Sequence, residues 1–197
     1  IKRVIEPQIQ GLTIEQASVR RPEVTAHPAA EEFCRRLSGQ VIAGMVRRGK
    51  FLMIRLHSGS RIILHLRMTG CLLLAPASLP EEMHTHIVFA LSNGMELRFS
   101  DTRRFGRFWL LEQDEDDTYS GIGRLGLEPF ECAVTADYLQ AHWGTRKRKI
   151  KECLLEQTVV AGIGNIYSDE ILFTAGIDPA RTADSLRRRE WERLAAV

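Results

Sequence analysis

KRKIKECLLEQTVVAGIGNIYSDEILFTAG, residues 147–176, joins a basic start, an apolar helical spacing and a glycine-bearing turn. Residues 154–155 are leucines that continue one apolar side of a helix from the basic start. The Gly-Ile-Gly run at 162–164 then permits backbone angles that are closed to other residues. Residues 166–175 resume helical spacing, and Gly176 ends it. The stretch therefore predicts two helices joined by a short turn.

The turn between these helices has features of a phosphate-binding site. A helix start that follows glycines presents free N–H groups and a partial positive charge. Asn165 adds a short hydrogen-bond donor at that start, and Lys147 belongs to the basic cluster just before the first helix. The alternative for this segment alone is an ordinary helix connection beside a solvated basic face.

Composition limits the class of protein. A chain of 197 residues with 44% hydrophobic and 26% charged residues can bury a core, as one large domain or two small ones. Its longest apolar runs, such as residues 71–75, are far shorter than the roughly 20 residues that cross a bilayer. The first ten residues lack the apolar core of a signal peptide, and the four cysteines show no zinc-type pairing. We therefore expect a reduced, cytoplasmic protein without a membrane partner.

The charge is unevenly distributed although the net charge is only +2. Residues 41–80 contain no Asp or Glu, whereas the basic residues there are Arg47, Arg48, Lys50, Arg55, Arg61 and Arg67. Acidic residues are concentrated elsewhere, notably over residues 112–117. Such segregation predicts a positive face that suits a polyanion.

The order of predicted elements indicates an α+β chain. A helix over residues 1–9, a strand over 13–20 and a helix over 28–37 precede a β-rich region. Its predicted strands are 40–46, 51–56, 61–66, 71–74, 86–91, 96–99 and 108–111, and helices follow at 139–143, 149–157, 166–175 and 183–196, the last with Ser185 as a possible cap. We predict an antiparallel β-sandwich with flanking helices over residues 1–118, a linker over 119–130 and an all-helical domain over 131–197.

Three loops of the β-rich region carry residues that are unusual in simple connections: 47–50 (RRGK), 65–70 (HLRMTG) and 101–106 (DTRRFG). A Met or Phe can enter between base steps of a duplex, and an Arg can occupy the place of a displaced base. Met68 and Phe105 could instead be core residues. Arg103 and Arg104 could simply pair with Asp101 at the surface.

His84 and His86 alternate as strand neighbours do. They could form a metal pair, but no third ligand is nearby in the sequence, so a surface or hydrogen-bonded role is favoured.

At this point several motifs together closely resemble the bacterial formamidopyrimidine-DNA glycosylases, a family that includes endonuclease VIII. They are RRGKFL, HLRMTG, HTH, DTRRFGRF, LGLEPF and LLEQTVVAGIGNIYSDEILFTAGIDP, and they span nearly the whole chain. The resemblance implies a β-sandwich followed by a helix–two-turn–helix domain, with double-stranded DNA bound in the cleft between them. It also implies excision of oxidised purines, such as 8-oxoguanine and formamidopyrimidines, and cleavage of the abasic strand by β,δ-elimination.

The resemblance assigns expected roles to individual residues. Lys50 matches the lysine of the elimination step, and the trio Met68, Arg103 and Phe105 matches the side chains that fill the gap left by the flipped nucleotide. His84, Arg103, Lys147 and Asn165 match DNA contacts of the family. Met and Phe at their positions favour the purine-specific branch over the endonuclease VIII branch.

Two family features have no match in the sequence. The family's N-terminal proline is the nucleophile and its adjacent glutamate the acid, whereas this chain begins with Ile1. The family's four-cysteine zinc finger also has no match before Val197. We therefore expect a glycosylase chain that lacks residues at both ends, binds DNA without the nucleophile and holds no cofactor. We expect one structural zinc in the full-length protein. We further expect a monomer.

Three rival functions remain open. The first is an endonuclease VIII-type glycosylase that acts on oxidised pyrimidines. The second is a non-catalytic protein that recognises bent or damaged duplex, and the third is a ribosome-associated or other RNA-binding module that uses the same positive face.

Overall fold

The computed structural model describes residues 1–197, which form two compact units, Ile1–Gly121 and Ile122–Val197. Each unit has its own hydrophobic core. No helix combines the length and the apolar character needed to cross a bilayer.

The first unit is mainly a β structure flanked by two helices. Its elements are α1 (Lys2–Ile9), β1 (Thr13–Val19), β2 (Thr25–His27), α2 (Ala30–Leu37), β3 (Gln40–Arg48), β4 (Phe51–Leu56), β5 (Arg61–His65), β6 (Cys71–Pro76), β7 (Thr85–Leu91), β8 (Met95–Ser100) and β9 (Arg107–Leu111). The nine strands follow the order β2-β9-β5-β4-β3-β1-β7-β8-β6. All neighbouring pairs are antiparallel except β2 and β9, which are parallel.

The sheet closes into two packed layers. Strands β8 and β9 lie far apart in the strand order, yet the rings of Phe99 and Phe108 meet with their centroids 4.9 Å apart. Phe33 of α2 packs 6.4 Å from Phe89 and 6.5 Å from Phe108, so this helix closes one side of the core. The arrangement confirms the predicted α+β fold with an antiparallel sandwich, and the parallel β2 at one edge is an addition to it.

The second unit is helical. It contains α3 (Ala136–Trp143), α4 (Ile150–Leu154), α5 (Asn165–Ala175) and α6 (Arg188–Ala196), with 3₁₀ turns at Ile122–Arg124 and Ala183–Ser185. Trp143 and Trp191 are fully buried in its core. Leu127 forms a β-bridge with Val160, so part of the stretch expected as a linker packs against the helical core.

Three helix predictions for the second unit are wrong in their bounds. The helix expected over 139–143 begins at Ala136, where the Thr135 side chain caps it by accepting the Tyr138 N–H at 3.1 Å. The helix expected over 149–157 ends at Leu154, because the Gln157 side chain bonds to turn backbone instead of continuing the helix. The helix expected over 183–196 is a 3₁₀ turn followed by α6. Ser185 does not cap α6, since its hydroxyl donates to the Thr182 carbonyl at 2.7 Å.

Candidate nucleic-acid interface

Met68, Arg103 and Phe105 come together on the surface of the first unit. The Arg103 guanidinium donates from Nη1 to the Met68 sulfur at 3.2 Å, and its Cζ lies 5.1 Å from the centre of the Phe105 ring. Met68 is 73% exposed and Phe105 is 49% exposed. The interpretation of these two residues as core residues is therefore wrong. The three side chains form one exposed cluster, which we call the wedge.

Asp101 lies beneath the wedge and is 1% exposed. Its Oδ1 accepts hydrogen bonds from the Thr69 hydroxyl and from the Arg103 backbone N–H, the latter at 3.1 Å, and its Oδ2 accepts from the Gly106 N–H at 2.8 Å. Burial raises the pKa of Asp101, but these bonds and one from the Phe105 N–H outweigh it and hold the pKa below its usual range. The surface ion pair of Asp101 with the arginines, one of the alternatives, is therefore wrong.

The wedge is carried by the loops 65–70 and 101–106, which we call the wedge loops. Two arginines in these loops have left-handed backbone conformations. The φ angle is +57° at Arg67, next to Met68, and +58° at Arg104, between Arg103 and Phe105. Non-glycine residues rarely adopt this region, and such strain is concentrated at functional sites. Gly106 is also required at its position, because a Cβ there would lie 2.4 Å from the Phe99 ring. The backbone of both loops is thus fixed by tight packing.

Lys50 lies in the turn between β3 and β4, next to Gly49, whose φ is +54°. Burial lowers the pKa of Lys50, and the nearby Arg67 charge lowers it further. His65 lies on the neighbouring strand, where it pairs with Phe51 and packs edge-on against that ring at 4.7 Å. The lowered pKa makes the Lys50 amine more readily deprotonated than an ordinary surface lysine.

His65 is a site residue that the sequence reasoning missed. Its Nδ1 accepts the Arg67 backbone N–H at 3.0 Å, so the ring bears no proton there. Burial, followed by the charges of Arg67 and Lys50, lowers its pKa to about 4. His65 is therefore neutral near pH 7 and supports the loop that carries Met68. A histidine next to a strand end is the only sequence signal that could have indicated it.

His84 and His86 have different surroundings. His84 is partly exposed just before β7, and its carbonyl accepts the Asp101 N–H at 3.0 Å. His86 is buried, and its Nε2 donates to the Asp101 carbonyl at 2.7 Å. The segment that leads to His84 is held by Arg98, which is 2% exposed and donates to the Leu79 carbonyl at 2.6 Å. His84 is thus a partly exposed side chain on a fixed backbone.

In the second unit, one glutamine side chain organises the turns between α4 and α5. Gln157 Nε2 donates to the carbonyls of Leu155 at 3.0 Å and Ile163 at 2.8 Å, while its Oε1 accepts the Gly162 N–H at 2.9 Å. Gly162 has a φ of +91°, as the glycine-bearing sequence predicts.

The N-terminus of α5 is open to solvent. Gly164 is the N-cap and provides no side-chain cap, and Asn165 begins the helix in an exposed position. The first N–H groups of a helix have no partner within it and favour an anion. Ile166 and Tyr167 follow, 77% and 69% exposed.

The basic cluster before α4 is partly neutralised. Arg146 pairs with Glu156, Arg148 with Glu152 at 3.1 Å, and Lys151 with Asp169 at 2.7 Å. Lys147 is exposed, and the structure gives it no ion pair. Of these cations, Lys147 is therefore well suited to meet an external anion.

The described residues provide no group of three or more His, Cys, Asp or Glu side chains that could hold a metal. Cys34, Cys71, Cys132 and Cys153 are all free, and Cys153 is buried with a pKa raised mainly by that burial. The zinc expected from the family resemblance does not fit these residues, and it stays a prediction for the full-length protein.

Comparison with known proteins decides the family. Residues 1–108 match the formamidopyrimidine-DNA glycosylase N-terminal domain, and residues 125–197 match the formamidopyrimidine-DNA glycosylase H2TH domain. The chain belongs to the formamidopyrimidine-DNA glycosylase family. The glycosylase of Moorella thermoacetica is 47% identical over 98% of this chain and 71% of its own length. That of Geobacillus kaustophilus is 44% identical over 98% of this chain and 71% of its length.

Solved glycosylase structures show the same architecture. The complex between Lactococcus lactis Fpg and a Fapy-dG-containing DNA superimposes with a TM-score of 0.92 at 32% identity, over 99% of this chain and 73% of that one. The complex of the same enzyme with DNA containing an abasic site gives a TM-score of 0.92 at 32% identity, over 99% and 71%. The family resemblance stated from the sequence motifs is therefore confirmed, and it assigns the chain to the DNA-repair glycosylases.

Proposed function

We propose that this glycosylase excises oxidised purines, such as 8-oxoguanine and formamidopyrimidines, from double-stranded DNA and cleaves the abasic strand by β,δ-elimination. The observation that carries the proposal is the wedge: an exposed thioether, guanidinium and phenyl ring held together on two constrained loops. Single exposed apolar side chains are common on protein surfaces, whereas apolar groups grouped into one exposed cluster indicate an interaction site. The relatives that are bound to Fapy-dG or abasic DNA support the substrate class.

The wedge suits removal of a base from the stack. Met68 and Phe105 provide apolar surface to replace lost stacking, and Arg103 lies between them with a charged group whose contacts are a sulfur and a ring. These contacts leave most of the guanidinium N–H donors available for the base that has lost its partner. Unstacking costs a few kcal/mol per base step, which the wedge would offset.

Lys50 suits the elimination step. A general acid or base works best when its pKa lies near the working pH, and burial together with the Arg67 charge moves the Lys50 pKa in that direction. In its charged form, Lys50 would contact a phosphate close to the damaged nucleotide.

Each unit has residues that would contact the phosphate backbone. The free N–H groups at the start of α5, with the Asn165 side chain, would bind one phosphate, and Lys147 another. On the first unit, His84 would contact the DNA from its fixed position before β7. These roles, and action as a monomer in the cytoplasm, stay predictions.

Residues 1–197 contain no match to the family's N-terminal proline. For a chain of these residues alone, we expect salt-sensitive DNA binding without strand cleavage. The same wedge would serve a non-catalytic binder of damaged duplex, so the decisive test is chemical. A form of the protein that begins with the family proline is incubated with an 8-oxoguanine duplex and borohydride. A covalent adduct is expected, and its absence would refute the enzymatic proposal.

Binding separates the remaining alternatives. Affinities of residues 1–197 are measured for an abasic duplex, an intact duplex and a double-stranded RNA of the same sequence. We expect the abasic duplex to bind most tightly. Equal affinity for all three would contradict damage recognition and favour a general polyanion-binding module.

A further inference from the structure

Resting on the proposed function, we propose that Asp101 is the positioning residue of the damage-recognition site and fixes the two wedge loops relative to one another. Asp101 is almost completely buried, so its carboxylate is shielded from solvent. It acts through Met68, Arg103 and Phe105 and is not itself a contact residue.

The bonds of the Asp101 carboxylate join two loops that are distant in sequence. Oδ1 accepts the hydroxyl of Thr69, the residue after Met68, and also the backbone N–H of Arg103. Thr69 Oγ1 in turn accepts the Arg103 N–H at 3.3 Å. Oδ2 accepts the Gly106 N–H at 2.8 Å, directly after Phe105. One carboxylate thus fixes the backbone on both sides of the wedge.

The backbone of Asp101 extends the same network to His84. The Asp101 N–H donates to the His84 carbonyl at 3.0 Å, and the Asp101 carbonyl accepts from His86. The wedge loops and the expected DNA contact at His84 therefore share a single anchor. Precise positioning of contact groups requires this kind of support from buried hydrogen bonds.

The guanidinium of Arg103 is not part of this network. It contacts Met68 and Phe105, whereas only its backbone N–H reaches Asp101. Removing the carboxylate therefore leaves all three side chains of the wedge present and disturbs only their alignment. The effect of such a substitution separates a positioning role of Asp101 from direct contact with DNA.

The substitution Asp101→Asn tests the role with an almost isosteric side chain. Both carboxylate oxygens accept a backbone N–H, from Arg103 and from Gly106. The amide of an asparagine has only one oxygen, so its NH₂ group must face one of the two backbone N–H groups. One backbone hydrogen bond is then lost, and two donors face each other in its place. The substitution Thr69→Val removes the link between the loops while keeping the volume, and Thr69→Ser restores the hydroxyl.

The measured quantity is the ratio of Kd for an intact 20-base-pair duplex to Kd for the same duplex containing a tetrahydrofuran abasic site. A general loss of folded protein weakens both affinities equally and leaves this ratio unchanged. We expect Asp101→Asn and Thr69→Val each to lower the ratio by about tenfold, as for loss of one buried charge-assisted hydrogen bond. Thr69→Ser and the exposed control Asp114→Asn should retain the wild-type ratio.

The outcomes distinguish this inference from the proposed function. If the wild type shows no preference for the abasic duplex, damage recognition fails and the role of Asp101 fails with it. If the wild type prefers the abasic duplex, and both Thr69→Val and Asp101→Asn retain the wild-type ratio of Kd values, only the positioning role of Asp101 is overturned. Should Asp101→Asn not fold, the Thr69→Val and Thr69→Ser pair decides by itself. In a Met68→Ala background, Thr69→Val should add little, because the wedge through which it acts is already incomplete.

Discussion

Replacing Gln157 by Glu should destabilise the helical unit and weaken DNA binding, although the shape of the side chain hardly changes. Nε2 donates two hydrogen bonds, to the carbonyls of Leu155 and Ile163, and Oε1 accepts one from Gly162. A carboxylate keeps the accepted bond and places an oxygen against two carbonyl oxygens. Two lost bonds at about 1 kcal/mol each, with partly buried carbonyls left unpaired, give a loss of about 2–4 kcal/mol.

Urea unfolding followed by tryptophan fluorescence measures this loss, since Trp143 and Trp191 are both fully buried in the helical unit. The midpoint should fall without a change in slope. Gln16→Glu, an exposed substitution of the same type on β1, is the control. Lowering the pH should partly restore the Gln157→Glu variant, because a protonated acid can donate one of the lost bonds. A midpoint equal to that of the wild type would refute the argument that this amide holds the turns together.

Three further predictions concern the wedge, the basic cluster and His65. Met68→Ala should leave the free energy of unfolding within about 0.5 kcal/mol of wild type, since the side chain is 73% exposed. It should nevertheless lower the preference for an abasic over an intact duplex by at least about tenfold. Met83→Ala, at an 89% exposed methionine, should change neither the stability nor this preference. Lys147→Ala should reduce the slope of log affinity against log salt concentration by about 0.9. Lys151→Ala should change this slope less, because Lys151 already pairs with Asp169. Equal changes of slope in DNA titrations at several salt concentrations would contradict the assignment of Lys147 as a phosphate contact. The His65 pKa falls from 6.5 to about 4 on folding, so the folded state binds fewer protons than the unfolded state and the free energy of unfolding should decrease as the pH falls from about 6.5 to about 4. The substitution His65→Gln should flatten this pH dependence. An NMR titration that gives the folded His65 ring a pKa near 6.5 would exclude a contribution of His65 to the pH dependence.

The sequence predicted most of the sandwich because short β-rich runs are separated by clear Ser-Gly, Pro-rich and Asn-Gly turns. Phe51–Leu56 has the predicted bounds. The connection between the strands predicted over 86–91 and 96–99 contains Asn93-Gly94, a typical hairpin-turn sequence, and Gly94 has a φ of +77°. The three-residue strand Thr25–His27 was missed, since it is too short to show a period and lies between prolines. It pairs with β9 through a contact that only the folded chain creates.

The candidate site was predicted unevenly for a similar reason. Exposed wedge residues could be named from motifs, because a methionine or phenylalanine beside arginine in a loop is unusual. Asp101 could not, since an aspartate two residues from an arginine resembles a surface ion pair, and only the fold shows that the carboxylate is buried and bonded to backbone. Gln157 was equally hidden, because helical periodicity contains no information on a side chain that bonds to turn backbone.

The left-handed conformations of Arg67 and Arg104 have a consequence for the speed of recognition. The unfavourable backbone angles are already adopted in the free protein, so the conformational cost of shaping both loops is met when the chain folds. An encounter with DNA then requires little ordering of the protein, which reduces the entropy lost on association. Under the proposed function, recognition would then be limited by how often a nucleotide opens, and not by rearrangement of these two loops.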